Sequence, residues 1–260
     1  MEVVFATGVF CVYFFLLHLV ADHFGRAFYP EYSKLKECKK TEYRSYLLSP
    51  VHSLVAVILS ILGTYFVCDV GNIFTNSECL AVPRYIHIWA LQHTCAWFIV
   101  DTFFMAAIVR GTSPFDLQMY AHHFLSVFTW YSTLFFMNFT VAGACAILFV
   151  EVSTIFVSFR WLLYTHKLQD TVLMPINTAL VFLSFLFGRT IYMWFLCSKY
   201  IWPLLIKEFG TVDLRWWQAL LVVEQLLATT MSALLNTYWM WLIVKQVVRV
   251  IQRLLGTLLP

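Results

Sequence analysis

Apolar runs of about 20 residues, the length a helix needs to cross a hydrocarbon core of about 30 Å, recur along this chain with its charges gathered between them. They stand near 3–20, 50–68, 85–109, 119–138, 141–163, 172–197 and 216–244. With 61% hydrophobic and only 12% charged residues in 260, and a mean hydropathy of +0.77, the chain carries more apolar surface than one soluble core can enclose. The expected fold is an all-α polytopic membrane protein with seven transmembrane helices. One domain spans 1–260, its core covering about 40–245 and a basic amphipathic tail 245–260.

Local signals refine these spans. The first run lacks a basic leader, and no small-residue cleavage site precedes the polar His18, Asp22 and His23, so it reads as a retained helix. Ser49-Pro50 reads as a helix start, an N-cap followed by proline at the first helical position. The last run exceeds one simple crossing and is expected to tilt or to lie along the membrane surface. In the tail, Lys245, Arg249 and Arg253 alternate with apolar residues, as in a helix leaving along an anionic surface.

Basic residues orient the chain. Arg26, Lys34, Lys36, Lys39, Lys40, Arg44, Arg110, Lys167, Lys245, Arg249 and Arg253 fall on one side, against Arg84, Lys199, Lys207 and Arg215 on the other. The positive-inside rule then puts the N-terminus in the lumen or outside and the C-terminus in the cytosol. The net charge of +3 is small and its cations are dispersed, which leaves nucleic-acid binding without support.

Cysteines within spans act as small apolar fillers, and no CxxC or Cys/His spacing suggests a metal site or a bound cofactor. Cys68 and Cys79 share one lumenal loop, where an oxidising compartment would permit a disulfide. The sequon Asn138-Phe139-Thr140 sits in a short turn close to the bilayer and is expected to stay unglycosylated.

Polar residues inside the spans carry the functional argument: His52, His87, His93, Asp101, His122, His123, Glu151, Ser153, Arg160, Arg189, Glu224 and Asn236. An ionisable group at mid-depth costs about 2.5–3.5 kcal/mol on insertion scales unless it pairs or meets water, so together they imply an internal polar chamber. Adjacent residues on a helix point about 100° apart, so one of His122 and His123 faces this chamber and the other a neighbouring helix. The third and fourth spans are antiparallel neighbours, which brings Asp101 toward the pair. Glu151 and Arg160 point to opposite sides of their helix, which leaves Arg189 as the expected partner of Glu151. Glu224 and Asn236 read as helix-to-helix contacts with no functional weight.

These residues resemble those of the TLC-domain proteins, the TRAM, Lag1 and CLN-type membrane proteins that include ceramide synthases. The matching pieces follow family order: Tyr43-Arg44-Ser45 with His52-Ser53, Phe98 to Asp101, His122-His123, Phe149 to Phe156 leading to Arg160, and Arg189. The Val-Glu-Val-Ser block followed by Arg189 looks closest to the small TLC-domain branch associated with phospholipid composition. Asn138-Phe139-Thr140 and Gly143 match the first part of the ceramide synthase signature. Its second part departs: Val150-Glu151 stands for His-Asp and Ser153-Thr154 for Ser-Asp.

The resemblance implies a helical barrel around a lipid-sized cavity in the endoplasmic reticulum. It implies transfer of a fatty acyl group from acyl-CoA, as co-substrate, to a sphingolipid or phospholipid. His122 and His123 would be nucleophile or base, with Asp101 orienting them. Glu151, Ser153, Arg160, Arg189, His52 and His93 would line the substrate site, with Arg44, Lys39 and Lys40 near the phosphates of acyl-CoA. Two other readings stand beside it. One is a non-catalytic lipid sensor, carrier or trafficking factor. The other is a structural subunit packed against copies of itself or other membrane proteins, for which 18% aromatic residues and short loops suffice.

Overall fold

The computed structural model describes residues 2–68, 71–136, 140–211 and 215–258, so Asn138 of the sequon lies outside it. The long elements are helices: α1 (Glu2–Phe28), α2 (Glu37–Tyr65), α3 (Tyr85–Val109), α4 (Pro114–Phe136), α5 (Val141–Thr165), α6 (Leu173–Gly210) and α7 (Trp216–Leu258). All but α4 are long and apolar enough to cross a membrane. At 1.5 Å per residue, the 23 residues of α4 reach about 34 Å, so its composition and not its length sets it apart. It turns Phe115, Leu117, Phe124, Phe128 and Phe135 outward and buries His123, Ser126, Thr129, Ser132 and Thr133. Lipid can wet the first face, whereas the second needs protein partners.

Helix ends differ from expectation. α1 runs on to Phe28 and α2 begins at Glu37, so most of the anticipated loop 21–49 is helical. Side-chain pairs at helical spacing hold these polar turns, with Arg26 on Asp22 and Lys39 on Glu42. Pro50 lies inside α2 and does not start it. Proline is tolerated in membrane helices where neighbouring groups re-satisfy the freed backbone. α7 is one continuous helix of 43 residues, about 63 Å long, and its last turns carry the basic tail.

Neighbours follow a closed order: α2 packs on α3, α3 on α4, α4 on α7, α7 on α6, α6 on α5 and α5 on α2, with α1 laid against α2 and α3. Three helices depart from regular α geometry. α3 ends in a π turn, Met105–Val109, closed by Arg110 at φ 56°. α5 tightens to a 3-10 turn over Leu148–Glu151, and α6 widens to π geometry over Ser184–Ile191.

The first turns of α5 fill the interior. Val141, Ala142, Gly143, Ala144, Cys145 and Ala146 are all buried, their small side chains letting α2, α3 and α6 come close. The cavity that His122 lines measures about 40 Å³, smaller than the lipid-sized one expected. At the opposite end from the basic residues, Cys68 and Cys79 form a disulfide across the α2–α3 connection, with Cα atoms 5.7 Å apart.

Candidate functional site

His122 and His123 diverge as helix geometry requires. His123, on the α3 side, is buried, shares a 2.9 Å hydrogen bond between its Nδ1 and the Thr102 hydroxyl, and stacks on Phe98 with centroids 4.3 Å apart. Asp101 Oδ2 is 3.9 Å from Nδ1 of His123, beyond hydrogen-bond distance, and its other oxygen accepts a hydrogen bond from Ser45. Asp101 thus adds a charge near His123, and Thr102 fixes the ring.

His122 points the other way, into a cavity of about 40 Å³ that Ser126, Thr129, Glu151, Ser232 and Asn236 also line. Its ring stands edge-on to Trp239 at 5.6 Å, and its nitrogens make no hydrogen bond among the described residues. A void of this size holds a few waters and no acyl chain.

Opposite lies the anchor of the site. Arg189, presented by the π segment of α6, is 6% exposed and holds five partners. Its Nε donates to Val150 O at 3.1 Å and Ser153 Oγ at 2.6 Å. Nη2 donates to Glu151 at 3.3 Å and Thr154 at 2.6 Å, and Nη1 to Asn236 Oδ1 at 3.4 Å. The expected Glu151–Arg189 pair therefore forms, and the 3-10 turn brings Val150, Glu151 and Ser153 around one guanidinium. Sequence reasoning gave Asn236 no functional weight, named Thr154 only within a motif, and did not single out Thr102. The available signal was proximity in sequence for two of them, Thr102 next to Asp101 and Thr154 one turn after Glu151.

Other candidates lie elsewhere. Arg160 donates to Thr178 and Tyr164 on the α5–α6 surface and does not line the cavity. His52 and His93 stack on each other at 5.2 Å among Phe14, Trp97 and His18, in the contact of α1 with α2 and α3. Both nitrogens of His52 and of His18, and Nδ1 of His93, are buried without a hydrogen bond. Covering by α1 is what removes this cluster from the chamber. Of the basic residues considered for acyl-CoA, Arg44 is held by Asp22, Glu37 and Thr41, Lys39 by Glu42, and Lys40 lies 4.0 Å from Glu37. Among the described residues, no group of three His, Cys, Asp or Glu side chains is arranged to hold a metal ion.

The family model for the TLC domain of TRAM, LAG1 and CLN8 matches residues 47–245. The chain belongs to the TLC-domain family. In this TLC-domain protein the match takes in both histidines, Asp101 and the whole Glu151–Arg189 cluster, and leaves α1 and the first turns of α2 outside it. It identifies an integral membrane protein of a lipid-related family. No curated protein matches the chain.

Proposed function

We propose that the protein binds a membrane lipid with its polar end at His122 and transfers to it a fatty acyl group from acyl-CoA. The observation that carries this reading is His122 itself, a partly buried imidazole with no hydrogen-bond partner among the described residues, facing a largely apolar cavity whose wall also carries Ser126, Thr129, Glu151, Ser232 and Asn236. The ring lies eight residues past the start of α4, about 12 Å along the helix from the basic end. That depth suits a thioester whose charged head stays outside the hydrocarbon.

In the chemistry proposed, neutral imidazole takes the proton of a lipid hydroxyl or amine as its oxygen or nitrogen attacks the thioester carbonyl. The C–S bond then breaks, and the proton returns to the departing thiolate of CoA. His123, held by Thr102 and Phe98, keeps α4 in register beside α3, and the Arg189 cluster fixes the opposite wall.

The basic end is read as cytosolic and the disulfide end as lumenal, a compartment in which Cys68–Cys79 persists, with the endoplasmic reticulum as the site. α4 is read as the seventh crossing, which makes the closed order of neighbours a barrel. The motif pattern near Glu151 makes phospholipid the first acceptor to test. The test is purified protein with labelled long-chain acyl-CoA and a panel of lipid acceptors. Label entering a lipid product above protein-free background supports the enzyme, and its absence across acyl lengths and acceptors rejects it.

A second reading, a non-catalytic lipid binder, draws support from the cavity of about 40 Å³, which must widen before a substrate enters. Lipid that co-purifies in fixed ratio without any label transfer would favour it.

A further inference from the structure

We infer that the seam between α4 and α7 is the lateral portal through which a lipid passes from the bilayer to His122, opening at two hydrogen-bonded latches. This rests on the lipid-binding reading above. Most of the cavity wall comes from these two helices: His122, Ser126 and Thr129 from α4, and Ala228, Ser232 and Asn236 from α7. On each helix these residues recur at three- or four-residue spacing, so they form one face. Leu125 and Trp130 of α4 and Thr229 of α7 complete these two helices' share of the wall, and Met119 of α4 packs against the cluster that holds Trp239 and Met240 of α7.

Hydrogen bonds hold this seam at both ends. Toward the disulfide end, the Thr129 and Ser132 hydroxyls each donate to Glu224 at 2.9 Å, and Gln225 Nε2 donates to Thr129 O at 2.9 Å. Toward the basic end, Trp239 Nε1 donates to Gln118 Oε1 at 2.9 Å. Between the latches the cavity lies directly behind the helix contact, and its outer approach is lipid-facing: Phe124 and Phe128 on α4, Leu227 and Met231 on α7, all more than half exposed. Across the seam between α5 and α6, Arg160 donates to Thr178 and Asn177 to Phe156 O.

The test is photo-crosslinking in phosphatidylcholine vesicles containing a phosphatidylcholine with a diazirine on its acyl chain, with labelled residues mapped by mass spectrometry. Ser132→Ala removes the hydroxyl that donates to Glu224 and accepts from Gln225, Trp239→Phe removes the bond to Gln118, and Thr178→Val removes a bond from the α5–α6 seam. The expected result is label on the cavity-facing residues of 122–129 and 228–236. It rises by about threefold in Trp239→Phe, the shift that one interhelical hydrogen bond of average strength supports, rises at least as much in Ser132→Ala, and is unchanged in Thr178→Val. Interior label that rises with Thr178→Val and ignores both latch variants overturns the portal and leaves the lipid-binding reading standing. No interior label in any of these proteins, each verified as folded by thermal unfolding, overturns both.

Discussion

Glu151 and Arg189 meet at 3.3 Å inside the membrane domain, with side chains 5% and 7% exposed, joining the 3-10 turn of α5 to the π segment of α6. Removing one member of such a pair leaves the other charge buried and uncompensated. Glu151→Leu is therefore expected to lower stability by about 3–5 kcal/mol, read as a fall in the thermal midpoint in detergent. Glu151→Leu/Arg189→Leu should recover part of that loss. A double variant as unstable as the sum of the singles would show that the two side chains do not act as a pair.

The two histidines should separate in a stability assay. His123→Ala removes a hydrogen bond to Thr102 and a stacked contact with Phe98, an expected loss of about 2 kcal/mol. His122→Ala removes looser ring contacts with Trp239, Phe98 and His123 and no hydrogen bond among the described residues, and should cost about 1 kcal/mol. Thermal midpoints of the two variants, measured side by side, check the order. The reverse order would mean that His122 is a packing residue.

The disulfide closes a loop with a separation of 11 residues, for which the chain-entropy account gives about 3 kcal/mol. Cys68→Ser/Cys79→Ser should lower the thermal midpoint accordingly, and wild-type protein should become alkylated at both positions only after reduction. Free thiols at both positions in protein isolated from cells would place this end in a reducing compartment and reverse the orientation proposed above.

One pH effect follows from the loop that ends α5. Burial holds His166 below its ordinary value, with its Nε2 3.1 Å from the Tyr43 hydroxyl and its ring 4.7 Å from that of Tyr29. A histidine harder to protonate when folded adds stability that is complete above its unfolded value of about 6.5 and lost as pH falls through the depressed one. Thermal midpoints at pH 7.5 and pH 5.5 should differ more for wild type than for His166→Gln. An equal difference would remove His166 from the account.

Much of this architecture was legible because the bilayer allows few solutions. Six of the seven spans follow from the length and apolar character of their runs, and the divergence of His122 from His123 follows from helix geometry. So does the partnership of Glu151 with Arg189, since Arg160 faces away on the same helix. The extents of α1 and α2 were hidden because their outer turns are polar, and Pro50 read as a helix start because its tolerance depends on neighbours in space. His52 and His93 were placed near the chamber by their polarity. α1 instead covers them, and nothing local in the sequence marks which face of the bundle that helix takes. Asn236, noted only as a helix contact, and Ser126 and Ser232 became visible once α4 and α7 were seen to meet.

The central claim is that His122 performs acyl transfer and His123 supports it. The most direct measurement is the initial rate of label transfer from acyl-CoA to a lipid acceptor by wild type, His122→Ala and His123→Ala, each verified as folded by its thermal midpoint. The account expects His122→Ala to lose about a hundredfold or more with its fold intact, and His123→Ala to lose rate together with stability. Wild-type rates in a folded His122→Ala protein would contradict it.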